Sequence, residues 1–221
     1  MPDASIAGRQ STIVTRAQLM RRLVKPVLFV VCLLPFVHML LGAFQLGGIE
    51  LGTNPVEKIQ DTFGQWALRL LLITLAVTPL RDWFNAPLLI QLRRMLGLYA
   101  FFYVLMHFLT WLILDQGMYW AGIVQDIAKR PFITLGFIAL LLLIPLAVTS
   151  TNAMMRKLGR RWKSLHRLIY PIALLGVWHY WWQVKADIRE PLLYASIAAL
   201  LLAWRFWKAR QRSRKAVQAS G

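Results

Sequence analysis

Six blocks of apolar sequence, each long enough to cross a lipid bilayer as a helix, restrict the fold of this chain more than any other feature. A membrane-spanning helix needs about 20 predominantly apolar residues. Hydrophobic residues make up 58% of the chain and are grouped in blocks rather than along amphipathic stripes. We therefore predict an all-α membrane protein, a six-transmembrane-helix bundle with spans at about 26–44, 64–80, 95–114, 132–150, 166–182 and 191–207.

The six blocks leave only short loops in a chain of 221 residues. A soluble nicotinamide-binding domain or a molybdenum site would need more chain, and neither GxGxxG nor GxxxxGKS/T occurs. We predict one transmembrane domain, 25–208, between a basic N-terminal extension, 1–24, and a basic tail, 209–221. Asn54-Pro55 predicts a short surface helix before span two. The Thr-Pro-Leu-Arg of 78–81 predicts the end of that span.

Basic residues are concentrated in alternate loops, which indicates the topology. Most of the lysines and arginines lie at the N-terminus, in the second and fourth loops and in the tail: Arg9, Arg16, Arg21, Arg22, Lys25, Arg81, Arg93, Arg94, Arg156, Lys157, Arg160, Arg161, Lys163, Arg205, Lys208, Arg210, Arg212, Arg214 and Lys215. Most acids lie in the other loops: Glu50, Glu57, Asp61, Asp115, Asp126, Asp187 and Glu190. By the positive-inside rule both termini are cytoplasmic. The net charge of +17 thus reflects topology and contact with membrane lipid, and nucleic-acid binding is not expected.

The N-terminal sequence argues against a cleaved signal peptide, and the cysteine content excludes cysteine-based redox chemistry. The first 25 residues are polar and basic and lack an apolar core with a small-residue cleavage site, so we expect an uncleaved first span rather than a signal peptide. The single cysteine, Cys32, lies in that span. One thiol cannot form an internal disulfide, which excludes thiol redox chemistry and iron–sulfur ligation by cysteine.

Three of the four histidines lie inside predicted spans. They are His38 in the first, His107 in the third and His179 in the fifth, while His166 stands at the start of the fifth. An imidazole in hydrocarbon is costly, so an intramembrane histidine is a functional candidate. Because neutral imidazole ligates metals and haem iron, the pattern favours a buried haem and electron transfer across the bilayer.

Depth in the membrane groups two of these histidines. His107 lies roughly 20 Å from the cytoplasmic start of its span, at 1.5 Å per residue, and His179 reaches a similar depth. The two can therefore face each other and supply both axial positions of one haem. A second, inner haem at His166 would need a partner where span three has Arg93 and Arg94. The sequence supports one two-histidine site better than two.

Several polar residues keep more than one interpretation. His166 could cap a haem propionate, ligate a second haem with a partner other than histidine, or lie at the lipid headgroups. For His38 a structural or supporting role is expected. Arg69, near the outer end of span two, could contact a haem propionate or pair with Asp61. The basic residues of the inner loops are first of all topology anchors, with propionate or flavin-phosphate contact as the second interpretation: Arg93, Arg94, Arg160, Arg161 and Lys163.

Three long segments resemble the MsrQ (formerly YedZ) family, the haem-binding membrane subunits of the periplasmic protein-methionine-sulfoxide reductase system. They are NPVEKIQDTFGQWALRLLLITLAVTPLR (54–81), RRMLGLYAFFYVLMHFLTW (93–111) and RWKSLHRLIYPIALLGVWHYWWQVK (161–185). The resemblance extends from Lys25 to about Lys208. It implies the transmembrane fold of ferric reductases and NADPH oxidases, in the bacterial inner membrane.

The resemblance also implies cofactors, partners and ligands. They are haem b and FMN, electrons from quinol or a cytosolic flavin reductase, and an electron acceptor in the periplasmic molybdenum-cofactor subunit that reduces methionine sulfoxide in damaged proteins. The family's haem-ligand role falls on His107 and His179, with His166 as a further candidate. No residue of the chain marks the FMN site. This chain would then be an electron-transfer subunit, with substrate reduced on the partner.

Rival functions predict different residues. A haem-free proton or metal transporter would carry acidic partners within its spans, and no Asp or Glu falls well inside one. A stand-alone ferric or metal reductase would need an attached flavin–nicotinamide domain. A structural anchor for a periplasmic enzyme would not need buried histidines at matched depth.

Overall fold

The computed structural model describes residues 16–184 and 187–218, and all regular structure in these ranges is helical. Arg9, Lys185 and the last three residues of the predicted tail lie outside the described residues. The α-helices are α1 Lys25–Ala43, α2 Pro55–Trp83, α3 Arg93–Leu109, α4 Trp120–Lys129, α5 Pro131–Val148, α6 Asn152–Leu158, α7 Arg160–Leu165, α8 Ile169–Gln183 and α9 Arg189–Gln218. Short π or 3₁₀ segments adjoin them at Met20–Val24, Leu46–Gly48, Pro87–Gln91, Thr110–Asp115 and His166–Leu168.

Five helical segments of the described chain are long and apolar enough to cross a membrane: Arg16–Ala43, Pro55–Trp83, Pro87–Asp115, Pro131–Val148 and Arg189–Gln211. They correspond to the first four predicted spans and the sixth. The fifth predicted span corresponds to α8, whose 15 residues rise about 22 Å, less than the hydrocarbon core of about 30 Å. These are the helices of a multi-pass membrane protein. The sixth crossing and the cytoplasmic termini stay predictions.

α2 is one continuous helix where the sequence predicts two elements. Asn54 caps its first turn, since its Oδ1 accepts a hydrogen bond from the backbone N–H of Glu57 at 3.3 Å and its Nδ2 donates to the Glu57 carboxylate at 2.9 Å. Pro55 begins the helix, where its missing N–H would have had no helical partner. The predicted surface helix is therefore the first part of α2.

The predicted helix end at 78–81 is wrong, because α2 continues through Pro79 to Trp83. A proline inside a helix leaves the carbonyl four residues earlier without its usual donor. Here that carbonyl belongs to Leu75, and it accepts a hydrogen bond from Nη2 of Arg205 in α9 at 2.8 Å. A neighbouring helix thus supplies the bond that the proline removes, and the helix persists.

Tyr103 joins α1 to α3. Its hydroxyl donates to the backbone carbonyl of Cys32 at 2.7 Å and accepts from the backbone N–H of Phe36 at 3.1 Å. The hydroxyl therefore enters the hydrogen-bond ladder of α1 next to Pro35, a position where helices bend. Tyr103 has no exposed surface, so this polar contact is made inside the bundle.

Two helix pairs form the centre of the bundle. α2 packs along α3, and α5 packs along α8. The side chains of Leu75, Ala100, Tyr103 and Ala173 are fully buried in this core. Where α2 and α5 begin and α3 and α8 end, the two pairs separate and leave a cavity between them.

Candidate functional site

The cavity between the two helix pairs has a volume of about 620 Å³. Its inner wall is apolar and includes Leu68, Leu140 and Phe108, while its rim carries Glu57 and Asp61 among other polar side chains. Ligand sites in proteins range over about 300–1,000 Å³ and are mostly apolar with a few placed polar groups. The cavity is therefore of the size and lining expected for a large, mainly apolar cofactor.

His107 and His179 face each other across this cavity. Both line it, their ring centroids are 6.0 Å apart, and their planes make an angle of 81°. His107 comes from the end of α3 and His179 from α8, one from each helix pair. The two histidines that depth groups together in the sequence are thus in one site.

A backbone carbonyl fixes the tautomer of each ring. Nδ1 of His107 lies 2.9 Å from the carbonyl oxygen of Gln60, and Nδ1 of His179 lies 2.6 Å from that of Phe132. Because a carbonyl can only accept, each Nδ1 carries the hydrogen and each Nε2 keeps its lone pair. Neither Nε2 has a hydrogen-bond partner among the described residues. This is the arrangement of metal-ligating histidines, in which the second nitrogen donates to a supporting acceptor.

The spacing of the rings fits one metal atom between them. Two metal–nitrogen bonds of about 2.0–2.1 Å, with about 1 Å from each ring nitrogen to its centroid, span about 6 Å. The described residues contain no group of three or more His, Cys, Asp or Glu side chains that could hold a metal ion. A bare ion would thus have only two ligands here, whereas haem iron brings its own equatorial ligands and needs only axial ones.

His166 lies apart from this cavity and does not line it. Its ring stacks on Trp162 with centroids 3.9 Å apart, and its Nδ1 lies 3.1 Å from the Trp162 carbonyl oxygen. Its Nε2 is buried and has no hydrogen-bond partner among the described residues. The geometry does not bring His166 to the His107–His179 pair, and its role as a ligand stays a prediction.

Arg69 is engaged by other groups. Its Nε donates to the Tyr194 hydroxyl at 2.8 Å and its Nη2 to the Gln65 side chain at 3.0 Å, and it lies over the ring of Trp66. It does not line the cavity, and no ion pair joins it to Asp61. The predicted propionate contact thus has no support in the cavity lining.

His38 lies on a different surface. It is exposed on α1 and lines a separate lateral groove that it shares with Thr62 and Trp66. It makes no contact with the cavity between the helix pairs. Sequence reasoning missed Arg130, a cation that does line the cavity, because in the sequence it is one of several charged residues in an outer loop, whereas in the structure it is the single residue between α4 and α5.

Comparison with known proteins assigns the chain to a family. Residues 63–177 match the family described as ferric reductase like transmembrane component. A protein-methionine-sulfoxide reductase heme-binding subunit MsrQ of Xanthomonas campestris pv. campestris is 59% identical over 164 residues, covering 74% of this chain and 75% of its own length. The MsrQ subunit of Bordetella pertussis is 49% identical over 197 residues, covering 86% of this chain and 94% of its own. No solved structure matches the chain. The helices, the paired histidines and these relatives together place the chain in the MsrQ family, within the ferric-reductase-like transmembrane proteins.

Proposed function

We propose that this chain is the haem-binding transmembrane subunit of a protein-methionine-sulfoxide reductase system and passes electrons to its catalytic subunit. The observation that carries the proposal is the pair His107 and His179, which line one cavity with their ring centroids 6.0 Å apart. The printed names of the relatives, heme-binding subunits of such a reductase, support the same function.

In this proposal His107 and His179 would hold one haem b between them. The carbonyls of Gln60 and Phe132 hold both rings in the ligating tautomer. Bound in this way, haem supplies a one-electron redox centre in an environment of low dielectric. Held by a histidine from each helix pair, the haem would serve electron transfer rather than dioxygen binding.

The proposed direction of transfer follows from the proposed topology. With six spans and cytoplasmic termini, the cavity lies in the outer half of the membrane and its rim faces the periplasm. Electrons then enter from quinol or from a cytosolic flavin reductase, with FMN as a further carrier. They leave to the partner that holds the molybdenum cofactor. Methionine sulfoxide is reduced on that partner, and the system repairs oxidised periplasmic proteins.

The alternatives receive less support from the described residues. A metal transporter, or a reductase with its own metal site, would use several metal-binding side chains in one place, and the described chain offers no such group of three. A proton relay would place acids beside the intramembrane histidines. The nitrogens of His107 and His179 that face other residues contact backbone carbonyls instead.

The test is an absorption spectrum of the detergent-purified chain, oxidised by air and then reduced with dithionite, with haem measured per polypeptide. We expect a b-type spectrum near one haem per chain. His107→Ala and His179→Ala should lose it, and His38→Ala, on the separate groove, should retain it. Absence of haem from the native chain after expression with ample haem would contradict the proposal. Full retention by His179→Ala would contradict the ligand assignment alone.

A further inference from the structure

We infer that Gly64 and Gly136 are positioning residues that set the orientation of the two haem-ligating imidazoles, an inference that rests on the proposed function. Gly64 lies on α2 beside His107, and Gly136 lies on α5 beside His179. Both glycines line the cavity. Each is in the interior of a helix with no positive φ, so backbone conformation does not require glycine at either position.

The space at each glycine is filled by a ligand ring. A Cβ at Gly64 would lie 3.0 Å from Nδ1 and 3.1 Å from Cε1 of His107. A Cβ at Gly136 would lie 2.9 Å from both Nδ1 and Cε1 of His179. These distances are shorter than ordinary contact between non-bonded atoms. An added methyl group would therefore push the ring away from its helix.

The same arrangement of a carbonyl and a glycine occurs beside both histidines. Each glycine lies four residues after the residue whose carbonyl accepts the hydrogen bond of the ring, Gln60 for Gly64 and Phe132 for Gly136. In both cases the histidine follows the accepting residue by 47 positions. On a helix, residues four apart lie on the same face, so the ring rests on the glycine while it donates to the carbonyl one turn earlier. Each helix pair thus supplies one histidine ligand and the glycine on which its ring packs.

The accepting carbonyl and the glycine together control two properties of each ring. The carbonyl fixes which nitrogen faces the cavity, and the glycine lets the ring approach closely enough for that bond at 2.9 Å or 2.6 Å. Together they hold the two imidazole planes at 81°. In low-spin ferric haem, nearly perpendicular axial imidazoles give a large anisotropy of the g tensor, and parallel ones give a smaller anisotropy. The ring orientation is therefore measurable apart from activity.

The test compares Gly64→Ala and Gly136→Ala with Gly97→Ala as the matched control. Gly97 lies on α3 and does not line the cavity, and a Cβ there would come no closer than 3.7 Å to its nearest neighbour, Thr74. Alanine forms helix better than glycine, so none of the three changes weakens its helix. A loss of haem that is confined to Gly64→Ala and Gly136→Ala would therefore show that the position of the imidazole rings matters.

We expect Gly64→Ala and Gly136→Ala to lower haem per chain several-fold, to reduce the g anisotropy of the haem that remains, and to allow carbon monoxide to bind the reduced protein. Gly97→Ala should match the native chain in all three. Native-like haem content and g values in both test variants would overturn the inference while leaving the His107–His179 assignment intact. If one variant does not accumulate in the membrane, the other tests the same device on the opposite ligand. A native chain without haem would instead remove the proposed function.

Discussion

Nη2 of Arg205 donates a hydrogen bond at 2.8 Å to the carbonyl oxygen of Leu75, the carbonyl that Pro79 leaves without a helical donor. Leu75 has no exposed surface, so water cannot replace this bond. The same guanidinium donates to the Tyr170 hydroxyl at 2.9 Å and lies over its ring. Arg205 therefore joins α9 to both α2 and the start of α8.

Because Arg205 and Pro79 act on the same carbonyl, mutations at the two positions should have non-additive effects on the free energy of unfolding. Arg205→Met should destabilise the bundle by about 1–3 kcal/mol, because a buried carbonyl loses its donor. Pro79→Ala restores a helical N–H that can bond to Leu75, so Arg205→Met should cost less in that background. A double-mutant cycle by thermal or denaturant unfolding in detergent measures the difference. Equal costs in both backgrounds would show that the Leu75 bond contributes nothing.

Tyr103→Phe should loosen the contact between α1 and α3. The change removes a hydroxyl that serves the carbonyl of Cys32 and the N–H of Phe36, and both groups lie inside the bundle. Hydrogen bonds between membrane helices contribute about 0.6–2 kcal/mol, and we expect a loss in that range. Tyr99→Phe is the comparison, since its hydroxyl serves only the Phe29 carbonyl. A smaller loss for Tyr103→Phe than for Tyr99→Phe would contradict the bridging role.

The sixth crossing can be tested with single cysteines in a Cys32→Ala background. We expect Asp187→Cys, beyond α8, to react with a membrane-impermeant maleimide in intact spheroplasts. Arg156→Cys, before α8, should react only after the membrane is opened. Both positions are exposed, so accessibility does not distinguish them. Labelling of both from the same side would show that α8 does not cross and would leave the five spans alone.

The number of haems tests the separation of His166 from the cavity. Because His166 does not line the His107–His179 cavity, His166→Ala should keep that haem and its spectrum. The measurement is haem per chain in the native protein and in the variant. A native value near two that falls to one in His166→Ala would assign a second haem to His166. An unchanged value near one would leave its buried Nε2 without an iron.

Part of this site can be predicted from the sequence, and the limit is physical. Depth along a span is a one-dimensional quantity, so His107 and His179 can be matched by counting residues from the basic loops. The carbonyls of Gln60 and Phe132 cannot be found in that way, since every residue has one and only the packed helices select them. Gly64 and Gly136 carry no signal in the sequence, where each is an isolated glycine within a predicted helix.

The sequence does not predict the local structure at Pro79, Arg69 and α8, and each case has a local cause. Pro79 is a reasonable predicted helix end, because the donor that rescues its helix is Arg205, far along the chain. Depth along the span does not say which face of α2 Arg69 occupies, so its contacts with Tyr194 and Gln65 cannot be predicted from the sequence. The fifth predicted span is not among the helices of membrane-spanning length because α8 has only 15 residues.

The division of the core into two helix pairs has a consequence for the life of the protein in the cell. His107 comes from one helix pair and His179 from the other, on opposite sides of the cavity. A bound haem would therefore link the two pairs to each other. A ligand that binds only the folded state stabilises it in proportion to its supply. We therefore expect chains made during haem shortage to be degraded faster, so that the abundance of the subunit follows the supply of its cofactor.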